Sequence, residues 1–300
     1  MKKWLLFFGV NIAILVMLSI SFNILVATGI IPQEFADTQG GLLLFAAVIG
    51  FGGAFASLFM SKWMVKRTYD LYEVGPNDSD PFVKWYYETS VRLAKNAGIK
   101  TPEIYIYEDD SPNAFATGPS RNDSMIAISS GLSHTMTEDE IEGVIGHEIS
   151  HISNGDMTTS TLLQGVVNTF VIFFARIIGS FIDRVVFKNE SGHGLGYFAI
   201  VIVVELVLSV LGSMIVFWFS RHREYRADEG SVKIIGENNG GKEKMIAALQ
   251  KLQQLQDRTE PIDDKLSTYA ISGGNKSSIM ELFTTHPKLE DRIESLKNLK

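Results

Sequence analysis

The chain has 300 residues, of which 46% are hydrophobic, and it contains no cysteine. The lack of cysteine excludes disulfide bonds and thiolate chemistry, so any bound metal ion must be held by nitrogen and oxygen ligands. Its 34 acidic and 27 basic residues give a net charge of −7, and the basic residues are scattered along the chain. This charge pattern argues against a nucleic-acid-binding surface, whereas the high hydrophobic content indicates membrane-spanning segments.

The first apolar segment runs from Trp4 to Ala27, and its length of about 23 residues is enough to cross a bilayer. The alternative is a cleaved signal peptide, but the apolar part of a signal peptide is usually shorter, about 7 to 15 residues. We therefore predict an uncleaved transmembrane helix. A second apolar segment, Leu42 to Met64, is rich in glycine and alanine, which suits close packing between helices.

Basic residues stand at the outer ends of this pair of segments and are absent from the loop that joins them. Lys2 and Lys3 precede the first segment, Lys66 and Arg67 follow the second, and the loop between the segments has no lysine or arginine. By the positive-inside rule, the N-terminus and the residues after the second helix face the cytoplasm. We assign residues 1–66 to this first pair of transmembrane helices.

Residues 67–160 are predicted to form the first part of a cytoplasmic domain. A linker at 72–79 is followed by a helix that begins at Pro81, directly after the capping residue Asp80. Three short strands are predicted next, at Glu103–Tyr107, Ala114–Thr117 and Met125–Ser129. They would form a small antiparallel sheet whose edge strand can pair with an extended peptide, or which serves only as a scaffold.

The run from Gly146 to His151 contains the H-E-x-x-H pattern of zinc hydrolases. On a helix, residues four positions apart share a face, so His147 and His151 can bind one metal ion. Glu148 lies about 100° around the helix from His147. From there it can hold and deprotonate a water molecule without being a ligand itself.

The flanking sequence predicts that this motif lies on a helix. Thr137 can cap the helix start, Glu140 can complete a capping box, and Asn154-Gly155 favours the helix end. Apolar residues recur between these ends at helical spacing and would be buried beside the polar metal-binding edge. They are Ile141, Val144, Ile145, Ile149 and Ile152.

Residues 161–219 are predicted to form a second pair of transmembrane helices, at Thr161–Ile182 and Tyr197–Phe219. Arg176 lies inside the third helix, and a central arginine costs about 2.5 to 3.5 kcal/mol on insertion scales. A hairpin that packs against the bilayer without crossing it is therefore the alternative.

Residues 220–300 would return to the cytoplasm as the second part of the soluble domain, because a basic stretch follows the fourth helix. A helix is predicted near 242–256, a flexible stretch at 272–275, and a last helix from Pro287 to Leu299.

A catalytic zinc site with two histidines needs a third protein ligand, and a glutamate on a second helix is the usual partner of H-E-x-x-H. Glu224 is the natural candidate. It lies four residues before Asp228, so both carboxylates would share one helix face, and Asp228 could hydrogen-bond a ligand histidine. Because the transmembrane segments between them form a pair, Glu224 and the histidines would lie on the same side of the membrane.

A metal transporter and a catalytically silent membrane scaffold are the alternatives from other functional classes. A transporter should carry its ligands inside membrane-spanning helices, but the helix of the motif is too rich in acidic residues for lipid. A purely structural zinc site would have no use for Glu148. These arguments favour a hydrolase.

The chain resembles the membrane-embedded zinc metalloproteases typified by HtpX. The resemblance rests on the four-helix layout and on four runs of residues: Gly146–Met157, Arg223–Asp228, Asn113–Ala116 and Thr285–Pro287. It implies an endopeptidase of the bacterial cytoplasmic membrane, with one zinc ion per chain, that acts on misfolded or damaged membrane proteins. Prenyl-protein processing peptidases share these motifs, but their larger membrane chamber would require more than four spans.

The resemblance also implies a role for each residue of the metal site. His147, His151 and Glu224 correspond to the zinc ligands. Glu148 corresponds to the general base, and Asp228 corresponds to the residue that orients a ligand.

Two further elements receive roles from the same resemblance. The edge strand that holds the substrate backbone corresponds to Asn113, Ala114, Phe115 and Ala116. His286 corresponds to an oxyanion donor near the active site, although His286-Pro287 is also an ordinary helix start.

The predicted fold is a mostly helical α+β membrane protein. It combines about four transmembrane helices with a zincin-like cytoplasmic domain that contains the small antiparallel sheet. The expected partners are polypeptide substrates, above all membrane proteins, and the lipid bilayer, with no nucleic acid.

Overall fold

The structure is a computed structural model that describes residues 2–188, 194–259 and 286–299. The flexible stretch predicted at 272–275 lies outside the described residues. The chain forms two compact units, each built from two segments: Met1–Met60 with Thr158–Val216, and Ser61–Met157 with Phe217–Lys300.

The helices, in chain order, are α1 (Lys2–Ala27), α2 (Gln33–Ala36), α3 (Gln39–Thr68), α4 (Pro81–Asn96), α5 (Ser130–Thr135), α6 (Glu138–Asn154), α7 (Asp156–Val185), α8 (Leu195–Ile235), α9 (Gly241–Thr259) and α10 (Leu289–Lys297). The strands are β1 (Leu71–Glu73), β2 (Glu103–Tyr107), β3 (Ala114–Ser120) and β4 (Asp123–Ser129). A short 3-10 helix spans Glu237–Asn239.

In the described part of the chain, three helices are long and apolar enough to cross a membrane, judged by length and composition: Gln39–Thr68, Asp156–Val185 and Gly196–Ile235. They contain the second, third and fourth predicted spans. The first predicted span is also helical, as α1, in which Ile12–Ala27 is a shorter apolar stretch. The protein is therefore mostly helical, as predicted.

Arg176, the residue that weighs against insertion of the third predicted span, has partners within its own unit. Its Nη1 atom lies 3.3 Å from Oε1 of Glu205 on α8, and its guanidinium group lies 5.0 Å from the ring centroid of Phe45 on α3. These contacts reduce the cost of an arginine in an apolar helix, because the charge is paired and stacked.

The second unit contains a four-stranded sheet in its described residues, and the sheet is mixed, so the prediction of an antiparallel sheet was wrong. The strand order is β1-β2-β4-β3, and β2 and β4 run parallel, with Ile104 opposite Ile126. Every residue of β4 after Asp123 is buried, which suits a central strand. The connection at 108–113 leads to β3 at the edge of the sheet, and the β3–β4 hairpin then brings β4 back beside β2, so that β4 runs in the same direction as β2.

The strand β1 begins just before the segment predicted as a linker. It pairs antiparallel with β2, with Leu71 opposite Tyr107. A strand of three residues is too short to show the alternation by which strands are recognised in a sequence. The strand β2 has its predicted bounds, whereas β3 and β4 are longer than predicted and leave only Arg121-Asn122 as the turn.

The predicted start of α4 and both predicted ends of α6 are confirmed. Asp80 caps α4 by accepting a hydrogen bond from the backbone N–H of Val83. Thr137 and Glu140 form the predicted capping box of α6, and Gly155 ends that helix in the left-handed region, at φ 71°. The apolar residues predicted to face the core are all buried: Ile141, Val144, Ile145, Ile149 and Ile152.

A buried carboxylate ties α6 to two neighbouring helices. Glu142 accepts hydrogen bonds from Arg92 of α4, at 2.7 Å, and from Lys244 of α9, at 2.8 Å. Two cations therefore offset the charge that Glu142 brings into the interior. The helix that carries the H-E-x-x-H motif is thus fixed by polar contacts as well as by its apolar face.

Candidate metal centre

Helices α6 and α8 approach closely because small residues face each other where they meet. A Cβ atom added to Gly146 would overlap Oγ of Ser231, and one added to Gly230 would overlap Oγ of Ser150. The Ser231 hydroxyl also donates a hydrogen bond to the carbonyl of Gly143, at 3.0 Å. This close approach brings the carboxylates of α8 to the histidines of α6.

The structure brings the three predicted ligands together. The Nε2 atoms of His147 and His151 are 3.1 Å apart. The carboxylate of Glu224 lies against both rings, with Oε2 3.5 Å from Nε2 of His147 and Oε1 3.4 Å from Nε2 of His151. His147 and Glu224 are buried, and His151 is half-buried.

This arrangement fits a single zinc ion. Tetrahedral zinc with bonds of about 2.0 to 2.2 Å holds its ligand atoms about 3.3 to 3.6 Å apart. The observed separations of 3.1, 3.4 and 3.5 Å are close to this range. Two imidazole nitrogens and one carboxylate are also the ligand set of many catalytic zinc sites, which keep a fourth position open. His147, His151 and Glu224 could therefore hold the metal.

Asp228 lies where the sequence predicts it, one helical turn after Glu224. Its Oδ1 atom is 2.9 Å from Nδ1 of His147, on the side of the ring opposite Nε2. Arg292 of α10 donates two hydrogen bonds to Asp228, from Nε to Oδ2 at 2.8 Å and from Nη2 to Oδ1 at 2.7 Å. The imidazole of His147 is thus oriented by a carboxylate that is itself held in place.

His151 has an equivalent partner, which the sequence alone does not predict. The Oδ2 atom of Asp156, at the start of α7, lies 2.7 Å from Nδ1 of His151. Asp156 is fully buried, and its other carboxylate oxygen accepts a hydrogen bond from Arg226. Both histidines therefore have an aspartate on Nδ1, which leaves Nε2 available to bind a metal ion.

The carboxylates around the two rings shift the pKa values of both histidines. Burial lowers the pKa of His147, but hydrogen bonds to Asp228 and Glu224 outweigh burial and raise it to about 9. Burial also lowers the pKa of His151, and hydrogen bonds to Asp156 and Glu224 raise it above its usual value. The centre therefore stabilises positive charge, as a site for a divalent cation must.

Glu148 follows His147 on α6 and is half-buried. Burial raises the pKa of the Tyr86 phenol, and the negative charge of Glu148 raises it further. The Glu148 carboxylate is therefore within electrostatic range of Tyr86. It is outside the group of three ligand atoms, as expected for a residue that does not bind the metal.

His286 also reaches the centre. Its Nδ1 atom is 3.2 Å from Oε2 of Glu224, and 67% of its side chain is exposed. The residue precedes α10, whose Arg292 contacts the same carboxylate through Nη1 at 3.3 Å. The sequence around residue 290 thus contributes two side chains to the centre.

The predicted substrate-binding residues lie at an edge of the sheet. Asn113 precedes β3, and its carbonyl accepts a hydrogen bond from the backbone N–H of Ser129 at 2.9 Å. Because antiparallel pairing alternates, the main-chain groups of Phe115 face β4, and those of Ala114 and Ala116 face away. In the part of the chain that the structure describes, no strand pairs with that side of β3.

Two of the residues around the metal ligands were missed for different reasons. Asp156 stands only five residues after His151, but Gly155 separates it from the helix, so helical spacing does not point to it. Arg292 lies far along the chain on an otherwise ordinary amphipathic helix. No local pattern distinguishes it from the other arginines.

The sequence matches a known peptidase family over most of its length. Residues 84–300 match the profile described as Peptidase family M48. A protein of Shewanella pealeana described as Protease HtpX is 50% identical over 301 residues, covering 99% of both chains. A Protease HtpX of Thioalkalivibrio sulfidiphilus is 46% identical over 299 residues, also covering 99% of both chains.

The fold is similar to that of a solved structure. The crystal structure of S. mikatae Ste24p superposes with a TM-score of 0.65 at 16% sequence identity. The superposition covers 98% of this chain and 66% of the longer Ste24p chain, so this chain spans about two thirds of that protein. The chain therefore belongs to peptidase family M48, as a membrane-bound metalloprotease of the HtpX group.

Proposed function

We propose that the chain is a zinc-dependent endopeptidase that acts at the cytoplasmic face of the bacterial cytoplasmic membrane. The observation that carries this proposal is the meeting of one ligand atom from each of His147, His151 and Glu224, at separations suited to one zinc ion. The cytoplasmic orientation is supported by the lysines and arginines that flank the first two apolar segments.

When bound, zinc would supply Lewis acidity for the scissile carbonyl and for the attacking water. Glu148 takes the proton from that water and later donates it to the leaving amine. The aspartates on the Nδ1 side of His147 and His151 keep both rings in the tautomer that presents Nε2 to the metal. No covalent bond forms between enzyme and substrate.

The free side of β3 supports binding of the substrate as an added strand. The N–H and C=O groups of Ala114 and Ala116 would pair with the substrate backbone, and α6 packs against the same strand. His286 would donate a hydrogen bond to the oxyanion that forms at the scissile carbonyl. Backbone pairing does not depend on side-chain identity, which suits an enzyme that removes misfolded or damaged membrane proteins of varied sequence.

Chelation of the detergent-purified protein tests the proposal. We expect about one zinc ion per chain by elemental analysis and cleavage of an unfolded substrate such as casein. A chelator should remove both, and added zinc should restore both. Full cleavage by zinc-free protein would contradict the proposal. Zinc binding without cleavage would favour a metal-binding scaffold or a transporter instead.

A further inference from the structure

Each proposed ligand histidine contacts an aspartate, and each of these aspartates contacts an arginine, so two chains of polar side-chain contacts lead away from the metal centre. One chain runs from His147 to Asp228 and Arg292. The other runs from His151 through Asp156 to Arg226. The two chains have the same chemistry, so the differences between their arginines are informative.

Arg292 is buried and bridges two carboxylates. Only 7% of its side chain is exposed, and it binds Asp228 through two nitrogens. Its Nη1 atom also lies 3.3 Å from Oε2 of Glu224. By contrast, 53% of the Arg226 side chain is exposed. Solvent screens an exposed ion pair, so Arg226 contributes less to the position of its aspartate.

The carboxylates that Arg292 bridges need a buried cation beside them. Glu224 and Asp228 are one helical turn apart, and their side chains are only 4% and 2% exposed. Two like charges so close together repel each other, and each is costly to remove from water. The planar guanidinium group offers several donors in a fixed fork, so it can hold both carboxylates at once, which the ammonium group of a lysine cannot do.

We propose that Arg292 is a positioning residue of the metal centre. Through Asp228 it fixes the ring of His147, and through its own Nη1 it fixes the carboxylate of Glu224. It thereby positions two of the three proposed ligands, and helix α10 contributes to the metal centre by carrying Arg292. This inference rests on the proposed zinc site.

The test is the zinc affinity of the detergent-purified full chain, measured by competition with a chromophoric chelator. Arg292→Gln should weaken zinc binding about 10- to 100-fold, as is typical when a partner of a metal ligand is lost. Arg292→Lys should weaken it at least about 3-fold, because one ammonium group cannot keep both carboxylates in place. Arg226→Gln removes the exposed arginine, which lies behind Asp156, and should weaken zinc binding less than about 5-fold. Lys297→Gln also replaces a cationic side chain by glutamine, but at an exposed position of α10, and should leave the affinity unchanged.

Circular dichroism and thermal unfolding of the chelated proteins separate positioning from folding. If Arg292→Gln does not fold, the folded Arg292→Lys variant decides the question. A merely structural role would lower the unfolding temperature and leave the zinc affinity of the folded protein at the wild-type value, and that result would overturn the inference. Wild-type protein that binds no zinc would overturn the proposed function and this inference with it.

Discussion

The Nδ1 atom of His147 and the Oδ1 atom of Asp228 are 2.9 Å apart, although 81 positions separate the two residues in the sequence. The contact joins α6 to α8, and an apolar helix and part of another lie between them along the chain. His151 and Asp156 form the same contact within a few residues. The centre therefore depends on one long-range and one short-range carboxylate–histidine pair.

Removal of either aspartate should weaken metal binding. In Asp228→Asn and Asp156→Asn, the amide no longer stabilises the ring orientation that presents Nε2, so we expect zinc affinity to fall about 10- to 100-fold. Chelator competition measures this change. Asp291→Asn, at an exposed position of α10, is the control and should bind zinc as the wild type does. Unchanged affinity in both aspartate variants would show that the histidines need no such partner.

The close approach of α6 and α8 predicts that Gly230→Ala destabilises the protein. The added methyl group would overlap Oγ of Ser150, and overpacking of this kind costs about 1 to 3 kcal/mol. We expect a lower unfolding temperature in detergent and weaker zinc binding, because Glu224 would move away from the histidines. Gly75→Ala is the matched control, since the nearest atom to its added Cβ is 4.0 Å away. Equal unfolding temperatures for the two variants would contradict this account.

The ionised carboxylate of Glu103 should stabilise the folded protein, and this stabilisation should be lost in acid. Burial raises its pKa, but hydrogen bonds from Lys62 and Lys66 outweigh burial and lower the pKa from 4.5 to about 2. Because the folded-state pKa is depressed, the stabilisation is complete above about pH 4.5 and disappears as the pH falls through about 2.

The measurement is the difference in unfolding temperature between wild type and Glu103→Gln across this pH range. The wild type should be the more stable at pH 7, by less than about 1 kcal/mol because 37% of the Glu103 side chain is exposed. The difference should shrink as the pH falls from about 4.5 and should vanish below about pH 2. If the stability difference between the two proteins grew on acidification, the lowered pKa of Glu103 would be contradicted.

Because Arg176 and Glu205 are paired, we expect a single substitution to destabilise the protein more than replacement of both residues does. Glu205→Gln leaves Arg176 without its carboxylate in an apolar helix and should destabilise the protein by about 1 to 3 kcal/mol. Replacement of both residues by leucine removes the buried charge and should restore most of that loss. Thermal unfolding in detergent compares the three proteins. A double variant less stable than Glu205→Gln would rule out unpaired charge as the cause.

The sequence predicts the features of this protein that depend on local patterns. The ends of α6 follow from Thr137, Glu140 and Gly155, because capping groups and a left-handed glycine act within one helical turn. That Glu224 and Asp228 share one helix face follows from their spacing of four residues alone.

Features that depend on long-range packing could not be predicted. The parallel pairing of β2 with β4 requires knowing which strand lies at the centre, and only the burial of β4 in the fold decides that. Arg292 joins the centre because α10 packs against α9, and no periodic pattern encodes that contact. Asp156 is near in sequence, but the turn at Gly155 changes its direction.

The variant Glu148→Gln separates zinc binding from catalysis, because it removes the proposed general base and leaves every proposed ligand in place. Zinc content and cleavage of an unfolded substrate should be measured on the same detergent-purified sample, beside the wild type. We predict about one zinc ion per chain in both proteins and a loss of cleavage of at least about 100-fold in the variant. Cleavage at the wild-type rate by zinc-loaded Glu148→Gln would contradict the account.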